Sequence, residues 1–184
     1  MTDVADRVYR TVLVVRCQAG DSAALAELIE LHQRPLHYFL AKMVGNAHSA
    51  DDLLQEVWFE VFRSIGRLAD PGAFAAWLYQ IARHRAVRAI RRRQPAVVSL
   101  ADVEVADDSD PDDVFTAEEA ERIHVALDEL PPEQREVLLL RFIEDMSYDD
   151  IARVTGCQLG TVRSRIHYAK RALRRALERT AVHE

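Results

Sequence analysis

Between Leu130 and Arg165 the chain reads Leu130-Pro-Pro-Glu-Gln-Arg-Glu-Val-Leu-Leu-Leu-Arg, then Ser147-Tyr-Asp-Asp-Ile-Ala, then Gly160-Thr-Val-Arg-Ser-Arg. Few folds accommodate those signals in that order. The paired prolines put Pro132 at the first position of a helix, where the missing amide hydrogen costs nothing. Ser147, with Asp150 three residues on and Ile151-Ala152 behind it, is a capping box that starts a second, short helix. Gly156 supplies a turn, and a long basic helix begins around Gly160. A helix, a short capped helix, a tight turn and a basic helix make a helix-turn-helix, whose last helix fits a DNA major groove.

DNA binding has to be reconciled with charge. The 184 residues carry a formal net charge of -6, which argues against a nucleic-acid partner if the charge is spread evenly. It is not. Phe74 to Gln94 holds Arg83, Arg85, Arg88, Arg91, Arg92 and Arg93 with no acid, and Val162 to Arg179 holds seven bases against Glu178 alone. Pro95 to Glu121 holds many acids and no base. Two basic patches separated by an acidic strap predict two nucleic-acid contacts joined by a linker.

Glycine and proline are scarce, alanine, leucine, arginine and glutamate are plentiful, and strand-like alternation is absent. The expected fold is all-α: two small helical domains joined by an acidic flexible linker, the second a helix-turn-helix domain. The boundaries read as residues 1–94, 95–113 and 114–184. In the first domain Asp21 caps a helix with Leu25, Leu28, Ile29 and Leu31 at helical spacing, and Pro35 predicts a kink or break within it. Gly45-Asn46 ends that segment. Ser49 with Asp52 reads as a second capping box, opening a helix that runs to about Ile65 and stops at Gly66. Asp70-Pro71-Gly72 is a turn, and Phe74 to Arg93 is the last helix. The first helix of the second domain ends at Leu130.

The helix after Ser49 carries one broad apolar face of Leu53, Leu54, Val57, Trp58, Val61 and Ile65. Opposite lie Asp52, Gln55, Glu56 and Arg63, with Phe59 among them. A phenylalanine in a polar face needs cover. Either a neighbouring element of the same domain covers Phe59, or the face binds a partner, with Phe59 as the apolar anchor and carboxylates meeting basic groups. In the Phe74–Arg93 helix, Phe74, Leu78, Ile81, Ala82 and Ala89 are the expected buried side; Gln80, Arg83, His84, Val87 and Arg91 face away. Arg and His there suit a phosphate backbone, and the preceding Asp70-Pro-Gly turn suits an unpaired base. Trp77 at the border reads first as a boundary aromatic, second as a stacking platform. In the final helix, Val162, Ile166, Ala169, Leu173 and Leu177 form the buried stripe. Thr161, Ser164, Arg165, Tyr168, Arg171 and Arg175 are expected on the outer side, with Arg163 and Lys170 at its edge for phosphates.

Over nearly its whole length the chain resembles a bacterial extracytoplasmic-function sigma factor. Ala50-Asp-Asp-Leu-Leu-Gln-Glu-Val-Trp with Phe74-Ala-Ala-Trp-Leu-Tyr-Gln-Ile-Ala-Arg is similar to the family's region 2; the helix-turn-helix residues quoted above are similar to its region 4. The resemblance implies a subunit of RNA polymerase holoenzyme. Asp52, Gln55, Glu56 and Phe59 would dock on core polymerase. Asp70, Gln80, Arg83, His84, Arg88 and Arg91 would hold the melted minus-ten element. Thr161, Arg163, Ser164, Arg165, Tyr168, Arg171 and Arg175 would read the minus-thirty-five element as duplex. An anti-sigma factor is the implied regulatory partner. Two departures stand out: Arg67-Leu-Ala-Asp-Pro-Gly-Ala lacks the usual polar loop pattern, and Gln158-Leu159 replaces the serine or proline that often begins the recognition helix.

Two other classes compete. An ordinary helix-turn-helix regulator would share the second domain, but the first domain has no evident ligand-binding pattern and carries a basic helix of its own. An enzyme is disfavoured: the histidines, His32, His37, His48, His84, His124 and His167 among them, are scattered, and no phosphate loop, nucleophile elbow or metal quartet occurs. Asp107-Asp-Ser-Asp lacks the glycine and closing glutamate of a calcium loop. No catalytic residue, metal or cofactor is expected. No apolar run approaches a membrane span, so membrane insertion is not expected. Cys17 and Cys157 form no spacing pattern, which fits a cytoplasmic protein with two reduced thiols.

Overall fold

A computed structural model describes residues 2–93 and 120–181. The chain divides into two compact units, Met1–Val97 and Val98–Glu184. Every regular element among the described residues is helical. The acidic linker, and the start of the second domain near Val114, lie outside the described residues.

The first unit comprises α1 (Thr2–Gln18), α2 (Ser22–Val44), α3 (Ala47–Ser64), two short 3-10 turns (Ile65–Arg67 and Pro71–Ala73) and α4 (Phe74–Arg93). Asp21 caps α2 as its sequence position predicts, accepting hydrogen bonds from the amides of Ala23 at 2.9 Å and Ala24 at 3.2 Å. Arg16 donates to the same carboxylate, and these bonds hold Asp21 below the ordinary aspartate range. Gly45 ends α2 at φ +78°, a conformation that glycine adopts without steric cost.

Of the kink or break expected at Pro35 the break is corrected here, and so is the cap expected at Ser49. Pro35 does not break its helix: α2 runs unbroken from Ser22 to Val44. Proline removes one backbone donor, but Leu28, His32, Leu36, Phe39 and Leu40 are buried on both sides of it, and that packing outweighs the lost bond. Ser49 does not open α3 either. Asn46 is the cap, its side chain accepting from the Ser49 amide at 2.8 Å, and Ser49 is buried inside the first turn. Asparagine tolerates the extended cap conformation and places its oxygen over the first free amides as well as serine does.

α2 is the pillar of the unit, packing against α1, α3 and α4. Leu13, Val14, Leu28, Leu36, Phe39, Leu40, Val57, Val61 and Leu78 meet around it, each essentially inaccessible. Phe39 and Tyr79 interlock edge to face at 5.1 Å. Each fully buried aliphatic or aromatic side chain here contributes about 1.5–3 kcal/mol. His32 also lies in this core, edge-on to Phe74 at 5.5 Å, and its Nε2 has no hydrogen-bond partner. Burial, helped by the nearby charge of Arg10, lowers its pKa to about 4, so it is neutral in the folded protein near pH 7.

The second unit comprises α5 (Ala120–Asp128), α6 (Pro132–Phe142), α7 (Tyr148–Thr155) and α8 (Leu159–Ala181). The capping and turn signals act where expected, although α5 ends at Asp128, two residues before Leu130. Pro132 starts α6, Ser147 accepts from the Asp150 amide at 3.1 Å while its hydroxyl donates to the Asp150 carboxylate, and Gly156 ends α7 at φ +71°. α8 begins at Leu159, and the Gln158 carbonyl accepts its first backbone bond from Val162. The long helix packs against α5, α6 and α7 at once, closing a core of Leu138, Leu139, Leu140, Ile151, Val162 and Leu173. Arg122 of α5 donates to the Leu177 carbonyl at 2.7 Å, fastening α5 along the far end of α8.

Candidate functional site

Three surfaces carry the residues singled out by sequence. On α3, Asp52, Gln55, Glu56 and Phe59 are all exposed. Phe59 is 62% accessible, so no element of its own unit covers it. Phe62, which the sequence reading passed over, is 65% accessible and three residues further on, on the same helical ridge. Arg63 lies over the Phe59 ring, its guanidinium carbon 5.6 Å from the centroid. The result is an apolar pair framed by acidic, amide and basic groups, with Leu53, Val57 and Val61 buried behind it.

Along α4, Gln80, His84, Arg88 and Arg91 are exposed and recur at spacings of four, four and three, which aligns them on one face. Trp77 stands half-buried at the start of that face, as a boundary aromatic would. Arg83 is also half-buried, at one edge. The loop before α4 is held from beneath: Gln18 of α1 donates its amide to the carbonyls of Ile65 at 3.0 Å and Leu68 at 2.8 Å. Asp70, exposed, caps the following 3-10 turn by accepting from the Gly72 amide at 2.9 Å.

One arginine of the basic run behaves differently. Arg85 turns back to α3, donating from Nη1 to Glu56 at 2.9 Å and from Nε and Nη2 to one oxygen of Glu60 at 2.9 and 2.5 Å. Those bonds, from Glu60 first, raise its pKa further above the ordinary arginine range. The six arginines have no intervening acid within their own helix, but for Arg85 the acids lie on α3.

The outer face of α8 is rotated from its expected position. Arg163, Arg171 and Arg175 are exposed as expected, and Tyr168 is half-buried. Thr161, Ser164 and Arg165, expected outside, are buried instead, and so is Lys170, expected at the edge. Helices on three sides cover more of the circumference of α8 than its apolar stripe implies. The Ser164 hydroxyl donates to the Thr161 carbonyl at 3.0 Å, and Arg165 donates to the Cys157 sulfur in the turn at 3.0 Å. In their place Arg174 and half-buried His167 join the outer ridge with Arg163 and Arg171. The spacing of four from Arg163 to His167 to Arg171 signals that ridge in the sequence.

Neither a cluster able to hold a metal ion nor a helix long and apolar enough to cross a membrane occurs among the described residues. Cys17 and Cys157 are both free thiols, and burial raises the pKa of Cys17.

Together, a helix-turn-helix with an arginine-lined final helix and a second basic helix on a separate unit are the architecture of a helical protein with two basic surfaces of the kind that meet nucleic acid. Known proteins resolve the class further. The description Sigma-70 region 2 fits residues 28–96, and Sigma-70, region 4 fits residues 120–173. The RNA polymerase sigma-H factor of Pseudomonas aeruginosa is 34% identical over 178 residues, covering 90% of this chain and 92% of that protein. The ECF RNA polymerase sigma factor SigE of Mycolicibacterium smegmatis is 36% identical over 163 residues, spanning 84% of this chain and 63% of its own length. Among solved structures, CnrH in complex with the cytosolic domain of CnrY has a similar fold, with a TM-score of 0.68, 22% identity and coverage of 92% of this chain and 97% of that one. So does the sigma factor RpoE in complex with the anti-sigma factor NepR from Bartonella quintana, with a TM-score of 0.65, 23% identity and coverage of 83% and 96%. The ECF RNA polymerase sigma-E factor of Haemophilus influenzae is 30% identical over 187 residues, covering 95% of this chain and 98% of that protein, and the chain belongs to this extracytoplasmic-function class of RNA polymerase sigma factors, proteins of transcription initiation.

Proposed function

We propose that this chain docks on core RNA polymerase through the outer face of α3 and directs it to promoters by holding the minus-ten element on α4 and reading the minus-thirty-five element with α8. The observation that carries the docking half is the exposed Phe59–Phe62 pair. Two large aromatics more than half accessible on one ridge form an anchor of the kind that dominates binding energy once covered. Asp52, Gln55 and Glu56 frame it and supply polar contacts to a basic partner surface.

On α4, Gln80, His84, Arg88 and Arg91 form a track for a single-stranded backbone, with Trp77 and the Asp70 turn at its upstream end. Extruding a base from a duplex costs a few kcal/mol, which the track and the turn must recover. On α8 the buried positions of Thr161, Ser164 and Arg165 shift recognition to Tyr168, Arg171 and Arg175, with His167 and Arg174 added and Arg163 placed for a phosphate. Arg165 then serves the turn geometry and not a base edge. Structures of proteins of similar fold include complexes with the cytosolic domain of CnrY and with the anti-sigma factor NepR. A protein partner of that type is the proposed regulator here, acting in the cytoplasm.

Run-off transcription with purified core polymerase on genomic fragments tests the reading. Discrete transcripts that require this chain are the expected result. A chain that binds promoter duplex tightly by itself and never associates with core would be an ordinary DNA-binding regulator instead.

A further inference from the structure

We infer that Arg85 is a positioning residue of the α3 docking face and not a DNA contact. The inference rests on the docking role proposed for α3. Arg85 projects from the edge of α4 that faces α3, away from the ridge of Gln80, His84, Arg88 and Arg91. Its guanidinium spans two carboxylates one helical turn apart, Glu56 and Glu60, with three hydrogen bonds of 2.5–2.9 Å.

The arrangement solves a local problem. Two glutamates four residues apart on one helix repel each other. Glu56, three residues before Phe59, stands beside the apolar pair that would be covered on docking. Arg85 binds one oxygen of each carboxylate and takes no bond from the other Glu56 oxygen, on a side chain that stays 53% accessible. A carboxylate accepts several hydrogen bonds, so Glu56 can bind Arg85 and a basic partner group together. The fork geometry of arginine is what allows one cation to orient both acids, a task a lysine ammonium performs less well. Arg85 is about a third accessible (29% for its side chain), so its bonds are partly desolvated and set geometry better than fully exposed pairs do. A side chain engaged by two acids has little left to offer a phosphate.

Equilibrium binding of the full chain to core polymerase, without DNA, tests the assignment. The set is the unaltered protein, Arg85→Ala, Glu56→Gln and the double variant, each checked by thermal melting. Each single change is expected to weaken binding roughly five- to tenfold, and the double variant no more than the worse single change, because both act through one carboxylate. Arg85→Lys, which keeps the charge and the fold, should fall between. Unchanged affinity for Arg85→Ala, or losses that add in the double variant, overturns the inference. In the holoenzyme on a pre-melted promoter, the dependence of affinity on salt should be the same with and without Arg85, whereas Arg88→Ala should lower the slope by about 0.7. A fall in slope for Arg85→Ala makes it a phosphate contact and also overturns the inference. If the unaltered chain fails to bind core, the docking proposal falls and takes this one with it; normal binding with an indifferent Arg85 removes this one alone.

Discussion

α4 lies against α2 and α3, while α8 lies against α5, α6 and α7, and their basic residues divide accordingly. On α4 one exposed face is continuous from Gln80 to Arg91, and the arginine that turns inward finds acids on a neighbouring helix. On α8, which has three helical neighbours, Thr161, Ser164, Arg165 and Lys170 are buried, and the basic ridge is narrower and displaced. A helix packed on two sides can present a broad track, which suits a flexible single strand. One packed on three sides presents a narrow ridge, which suits a duplex groove. The number of neighbours, more than the number of arginines, decides what a basic helix can hold.

The largest test of that contrast asks whether the units have separate cores. Phe39→Ala should cost the first unit about 3–5 kcal/mol and Leu139→Ala should cost the second about 2–5 kcal/mol, in denaturant unfolding followed by probes placed in each unit. Equal destabilisation of both units by either change would join what the contrast separates. Next comes acid. His32 binds its proton near pH 4 in the folded unit but near 6.5 when unfolded, so its contribution is complete above pH 6.5 and is lost as pH falls towards 4. The loss should reach about 3 kcal/mol. Melting curves of the unaltered protein and His32→Leu should diverge over that window; parallel curves would remove the buried neutral histidine from the account.

Phe59→Ala should leave melting unchanged, because the ring is exposed, yet weaken core binding by about 2 kcal/mol or more. Loss of stability in its place would return Phe59 to the core. Removal of a cap should cost about 1 kcal/mol in either unit, for Asn46→Ala at α3 and Ser147→Ala at α7. Smallest is the effect of single arginines on DNA. Arg163→Ala should weaken holoenzyme binding to different duplexes alike and lower the salt slope by about 0.9. Loss confined to one base position would make Arg163 a reader of sequence.

Much of this architecture is legible in the chain because its signals are local. Ser147, Gly156 and Pro132 act within a turn of themselves, and the place of Phe59 in a polar face follows from a period counted along one helix, though its exposure does not. What escapes is decided across helices. α1 shows apolar residues on several faces, with Val8, Val12 and Val15 exposed and Leu13 and Val14 buried, so no single stripe marks which side packs. Pro35 reads as a breaker because the neighbours that hold α2 together belong to α1, α3 and α4. Arg85 meets carboxylates 25 and 29 positions away, and no spacing rule within α4 announces them.

The loop before α4 has a consequence of a different kind. Gln18 ties down two of its carbonyls, and Asp70 closes its turn, before any ligand arrives. Fixing a residue's backbone costs about 1–2 kcal/mol in conformational entropy. For these residues that cost is met when the domain folds, so the strand proposed to settle against Asp70 would meet a loop that has little freedom left to lose.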